Sequence, residues 1–143
     1  MKGKIRCDWI IHAIVNGEKC AISGRTIDSM IEGSANIHTH GLEKYGHKDF
    51  QLVLPYERKT YGYILNTLCM RVKNGERFKH GDYVKGIFED CDVRLETFEE
   101  SGRDVLRVIV PDENNIFPDE SDCNLDYRVQ LLETEQLYRI KYF

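Results

Sequence analysis

Three of the five histidines in this 143-residue chain fall within ten positions, as His38-Thr39-His40 and then His47-Lys48-Asp49. Side chains alternate between faces along an extended strand, so His38 and His40 would project from one face about 6–7 Å apart. Two imidazoles so placed can converge on one cation. His47 or Asp49, returning across the intervening turn, can supply a third ligand, since neutral imidazole and carboxylate both bind zinc and other divalent transition metals. His80-Gly81-Asp82 joins them if its loop folds back beside the first cluster. On this reading the chemistry is metal-dependent hydrolysis, with His38, His40 and His47 as ligands and Asp49 or Asp82 as ligand or base. The competing reading makes these surface-turn histidines, or half-buried ones bonded to backbone, because H-x-H alone is a short pattern.

Other catalytic templates are missing. The chain has no G-x-G-x-x-G, no G-x-x-x-x-G-K-S/T, no H-E-x-x-H and no G-x-S-x-G. Five cysteines, Cys7, Cys20, Cys69, Cys91 and Cys123, are an odd number without C-x-x-C spacing. That pattern points to free thiols in a reducing cytosol rather than a disulfide framework or a structural zinc site. Cys69 falls on the apolar stripe of a helix and Cys20 in a strand, so packing accounts for both more simply than nucleophilic catalysis does. The segment from Asp112 to Asp126 carries enough oxygens for calcium, but it lacks EF-hand spacing and the central glycine. It reads as a solvated acidic loop.

Composition narrows the classes further. Twenty-four acidic against twenty basic side chains leave a net charge of −4 and a pI near 5.7. With 41% hydrophobic and 31% charged residues, the chain reads as one soluble globular domain over 1–143. No apolar run approaches the ~20 residues that would span a bilayer. The N-terminus is basic, but the stretch after it is broken by Asp8 and His12 and offers no cleavage site, so a cytoplasmic location is expected. The acidic balance, with no long basic run, argues against nucleic acid as a partner.

The elements that must position these residues are mostly strands. Ile10 to Val15, then Asn16-Gly17, then Lys19 to Ser23 predict an N-terminal hairpin over 7–24, because Asn-Gly suits a type I′ turn. Residues 26–31 predict a short helix or an irregular crossing. Residues 36–42 and 50–54 predict a second antiparallel pair, ended by Pro55. One helix is predicted from Glu57 to Lys73, with Tyr61, Ile64, Leu65, Leu68, Cys69 and Val72 on one stripe and Asn74-Gly75 as its stop. Strands are expected at 83–88, 93–98 and 105–110, the last two joined by Ser101-Gly102-Arg103, and again at 127–131 and 137–143. The total is α+β: a curled, mostly antiparallel sheet of seven to nine strands with one main helix packed on it.

Several short motifs occur together in a fixed order. His38-Thr39-His40-Gly41-Leu42 is followed by Gly46-His47-Lys48-Asp49, then by Arg77-Phe78-Lys79-His80-Gly81-Asp82, Val110-Pro111-Asp112 and Gln130-Leu131-Leu132. This series resembles a bacterial family known as a domain of unknown function, of the type Y/H-T-x-G-L, G-H-x-D/E, R-F-x-x-G-D and Q-x-L-L, over residues 36–132. His38 stands where that family usually has tyrosine, and Lys48-Asp49 replaces its Pro-Glu. A tyrosine at that place would not be a typical metal ligand. The resemblance implies a compact bacterial cytosolic domain and carries no known activity with it.

Two functions follow as expectations. The first is a binding module without catalysis or a resident cofactor, recognising a protein or small-molecule partner, with a toxin-neutralising immunity role as one form. The alternative is the metal-dependent hydrolase, holding zinc or another divalent transition metal. A two-fold homodimer is also expected, through an edge strand at Leu137–Phe143, where three of seven residues are aromatic.

Overall fold

Period-two alternation gives each strand an apolar side and a mixed side, and the helix covers the first of these. The computed structural model describes residues 8–16, 18–19, 26–27 and 30–138. Its strands are β1 (Ile10–Val15), β2 (Glu18–Lys19), β3 (Thr26–Ile27), β4 (Ala35–His40), β5 (Phe50–Leu52), β6 (Tyr83–Val84), β7 (Val93–Glu100) and β8 (Arg103–Ile109). The helix α1 spans Arg58–Lys73, and 3-10 turns occur at Leu42–Tyr45, Leu125–Leu131 and Thr134–Leu137. Six strands form one sheet in the order β1-β4-β5-β8-β7-β6, while β2 and β3 pair separately. Every pairing is antiparallel except β5 with β8. None of the described helices is long and apolar enough to cross a membrane.

The helix forms as its stripe requires. Tyr61, Ile64, Leu65, Leu68, Cys69 and Val72 are its buried residues, packed in one cluster with Ile37, Phe50, Leu52 and Leu95. A fully buried leucine contributes about 1.5–3 kcal/mol, so this layer holds the helix on the sheet. Arg71 and Lys73 sit in the last turn, at the negative end of the dipole, and Gly75 takes a φ of 107° just beyond it. The hairpin between β7 and β8 also matches its sequence. Ser101 and Gly102 have φ values of 52° and 81°, as a two-residue turn between matched strands requires.

The structure departs from several expectations, and some of them fall partly outside the described residues. β1 pairs with β4, from Ile10↔His40 to Val15↔Ala35; of the arm expected to return from Asn16-Gly17, Lys19 pairs with Thr26, and Gly17 and 20–25 lie outside the described residues. The Asn16 side-chain amide exchanges two hydrogen bonds with the backbone of Met30, at 2.9 and 3.0 Å. It extends the ladder as a peptide unit would, and Ile11, Ala13 and Val15 join the helix-facing core. Residues 127–131 form part of a 3-10 turn rather than a strand. Gln130 does the work that a strand would have done beside β8: its amide accepts from the Val110 N–H at 2.7 Å and donates to the Val110 carbonyl at 2.8 Å. The strand expected over 83–88 is two residues long, and among the described residues the main sheet has six strands where seven to nine are expected. Of the expected C-terminal strand, Leu137 ends a 3-10 turn and Tyr138 bridges to Met30; 139–143 lie outside the described residues.

Candidate metal centre

The face of the sheet away from α1 carries a row of register-paired polar residues. His12, His38, Gln51, Arg107 and Glu96 stand opposite one another on β1, β4, β5, β8 and β7. The turns at Leu125–Leu131 and Thr134–Leu137 cover part of this face. Gln51 and Arg107 are fully buried there, beside a small apolar cluster of Met30, Val53 and Leu137.

His12, His38 and His40 meet at one end of the row. Each offers a ligand atom, and these atoms all lie within 4.8 Å of one another. Ring centroids are 5.0 Å apart for His12 and His38, 4.9 Å for His38 and His40, and 6.4 Å for His12 and His40. Tetrahedral bonds of about 2.0–2.1 Å put ligand nitrogens about 3.3 Å apart. Small side-chain rotations would bring the three ligand atoms to that spacing. His12 is exposed and His40 half-exposed, so both have room to make them, while His38 is buried and serves as the anchor.

Polar groups flank His38 on both sides. Its Nδ1 lies 3.0 Å from Asn36 Oδ1 and its Nε2 3.6 Å from Glu100 Oε1. Burial pulls its pKa down to about 4; the Glu100 carboxylate opposes this, and His40, His12 and Arg103 add to it. At neutral pH the ring is uncharged, the form that binds metal. Burial pushes the Glu100 carboxyl up, but the Ser101 hydroxyl at 2.5 Å, His38 and Arg103 outweigh it and keep the group below its usual range.

His47 and Asp49 stand apart from this cluster. Thr39 points to the opposite face from its neighbours His38 and His40, and its hydroxyl donates to Asp49 Oδ1 at 2.7 Å. Asp49 also accepts from Leu42 N–H and, through Oδ2, from Arg103 Nη1 at 2.8 Å. His47 donates from Nδ1 to the Lys48 carbonyl at 2.7 Å and accepts the Phe78 N–H at Nε2, with its ring beside Phe50 and Phe78. His80 accepts the Thr97 N–H at Nδ1, and Asp82 accepts the Lys79 N–H. These four side chains tie loops to the sheet or to themselves.

So the structure brings His38 and His40 together, as H-x-H spacing on a strand requires, and adds His12 as the third imidazole. The signal for His12 is its place in an apolar, β-branched strand, but the sequence does not tell that this strand lies beside β4. Among the other candidates, Cys69 is buried on α1, and burial pushes its thiol up to about 12, which suits packing rather than nucleophilic attack. Asp112, in the acidic loop, accepts from the backbone N–H groups of Asn114, Ile116 and Asn124 at 2.8–3.0 Å. That carboxylate organises its own loop. Compared with known proteins, the chain matches no family model, no curated protein and no solved structure.

Proposed function

We propose that this chain is a metal-binding module that holds one divalent ion of the zinc class with His12, His38 and His40. The observation that carries the reading is the convergence of three imidazoles on one sheet face, with ligand atoms within 4.8 Å. Three supports add to it. The ligand set is all imidazole, which suits zinc, copper or nickel rather than magnesium or calcium. The anchor His38 is neutral at physiological pH. Its second ring nitrogen is oriented by an amide carbonyl, the arrangement by which proteins commonly fix a ligating histidine. This reading departs from the expectation of a binding module without a resident cofactor and takes its metal from the alternative.

The test is metal content and thermal shift of protein purified without a histidine tag. The reading predicts about one bound equivalent after zinc is added and removed from bulk solvent, with a rise in melting temperature that depends on zinc concentration. Less than about a tenth of an equivalent, with no shift on zinc, nickel or copper, contradicts it.

The hydrolase reading draws on a second observation at the same place. Three histidines leave one tetrahedral position for water, and the Glu100 carboxylate lies 3.6 Å from His38 Nε2. Glu100 then takes the role first considered for Asp49 or Asp82. Ester hydrolysis by the zinc-loaded protein, absent from the chelated protein, tests it.

A further inference from the structure

Arg107 is fully buried, and among the described residues its hydrogen-bond partners are all neutral. Its Nη1 donates to the carbonyls of Gln130 and Leu132 at 2.9 and 2.5 Å, its Nη2 to Thr134 Oγ1 at 3.2 Å, and its guanidinium lies over the Phe98 ring at 3.5 Å. Its Nε donates to Gln51 Oε1 at 2.8 Å. This last bond orients everything beyond it. A guanidinium can only donate, so the Gln51 atom facing it must be the oxygen. Gln51 Nε2 is then a donor, and it reaches Asn36 Oδ1 at 3.0 Å and Thr134 Oγ1 at 3.2 Å. Asn36 Oδ1 is therefore an acceptor, with its Nδ2 donating to the Tyr138 hydroxyl at 2.9 Å. His38 Nδ1 lies 3.0 Å from the same Oδ1 and must carry the proton. A neutral imidazole has one N–H, so Nε2 is left with its lone pair, although the Glu100 carboxylate 3.6 Å away favours a proton there; the Asn36 contact at 3.0 Å is the shorter one.

We propose that Arg107, acting through Gln51 and Asn36, is the positioning residue that sets His38 in the Nδ1–H tautomer and so holds Nε2 ready to ligate a metal ion. The ligand role rests on the metal reading above; the tautomer does not. The head of the relay is gripped by carbonyls of 130 and 132 and by Thr134, so the segment that closes over this sheet face also helps to orient the site beneath it.

Gln51→Glu reverses the relay without removing it. The new carboxylate accepts from Arg107 as an ion pair and offers oxygen to Asn36, whose amide then turns so that Nδ2 faces both the carboxylate and His38. Tyr138 tolerates the turn, because a hydroxyl donates as readily as it accepts. His38 Nδ1 must now accept, and the proton moves to Nε2. Imidazole nitrogen shifts of His38 in the metal-free protein read this directly. The expected result is Nδ1–H in the parent and Nε2–H in Gln51→Glu, with zinc affinity lowered about 10- to 100-fold in the variant. Asn36→Asp covers a Gln51→Glu chain that fails to fold, since a carboxylate at 36 accepts from both neighbours, keeps Nδ1–H and binds zinc no more weakly than the parent. A proton on Nε2 in the parent or in Asn36→Asp, or a folded Gln51→Glu chain with an unchanged tautomer, overturns the proposal. A parent with the stated tautomer that takes up no zinc overturns the metal reading instead, so the two failures are told apart.

Discussion

His12 on β1 stands directly opposite His38 on β4, and their rings meet edge to face with centroids 5.0 Å apart. The pair joins an exposed side chain to a buried one, so the two have separable roles. Replacing His12 with alanine removes one ligand and little packing. The variant is expected to keep the parent's stability within about half a kilocalorie per mole, as exposed substitutions usually do. Its zinc affinity should fall by at least about tenfold. Calorimetric titration beside a urea melt checks both; equal zinc affinity in the two proteins contradicts the assignment.

Acid should weaken the metal-free protein through His38. Its folded pKa of about 4 lies below the ordinary imidazole value of 6.5, so as pH falls the unfolded chain takes up this proton before the folded one does. The associated stability is fully present above pH 6.5 and is lost progressively down to about pH 4. The loss amounts to about 2–3 kcal/mol by pH 4.5. Urea melts with a chelator at pH 7, 5.5 and 4.5, run beside His38→Gln, measure it. A parent whose pH slope equals that of His38→Gln shows that His38 does not carry the effect.

Leu68 is fully buried on the sheet side of α1. Leu68→Ala should cost about 2–5 kcal/mol, since the sheet side chains around it can relax only partly into the space. A cost below about half a kilocalorie per mole would mean that the helix does not press this face on the core.

Gln130 substitutes for a strand at the end of β8. Gln130→Ala leaves the buried Val110 N–H and carbonyl without their partners, at an expected cost of about 1–3 kcal/mol. Hydrogen exchange of the Val110 amide gives a local check. Unchanged protection in the variant would show that the side-chain amide is not what satisfies it.

The sequence makes α1 legible because its stripe at i, i+3 and i+4 can be satisfied by one conformation only, and its six stripe residues are the buried ones. The β7–β8 hairpin is legible for a similar reason: alternation on both arms and a turn that tolerates positive φ. What misleads is pairing between distant strands. Asn16-Gly17 is a good hairpin signal, but nothing in it tells that the Asn16 side chain bonds to Met30 or that β1 runs beside β4. Residues 127–131 alternate as a strand would, but five residues cannot separate a strand from a 3-10 turn whose glutamine mimics a peptide. The site follows from the same limits. His38 and His40 are neighbours by local spacing, whereas His12 joins them only through the β1–β4 register.

Crystals of the tag-free protein soaked in zinc, with diffraction recorded across the zinc edge, test the central claim most directly. The metal reading predicts an anomalous peak about 2.0–2.1 Å from one ring nitrogen each of His12, His38 and His40. The nitrogen on His38 should be Nε2, with Nδ1 still facing Asn36. No peak at this cluster, or a peak only at His47 or His80, would contradict it.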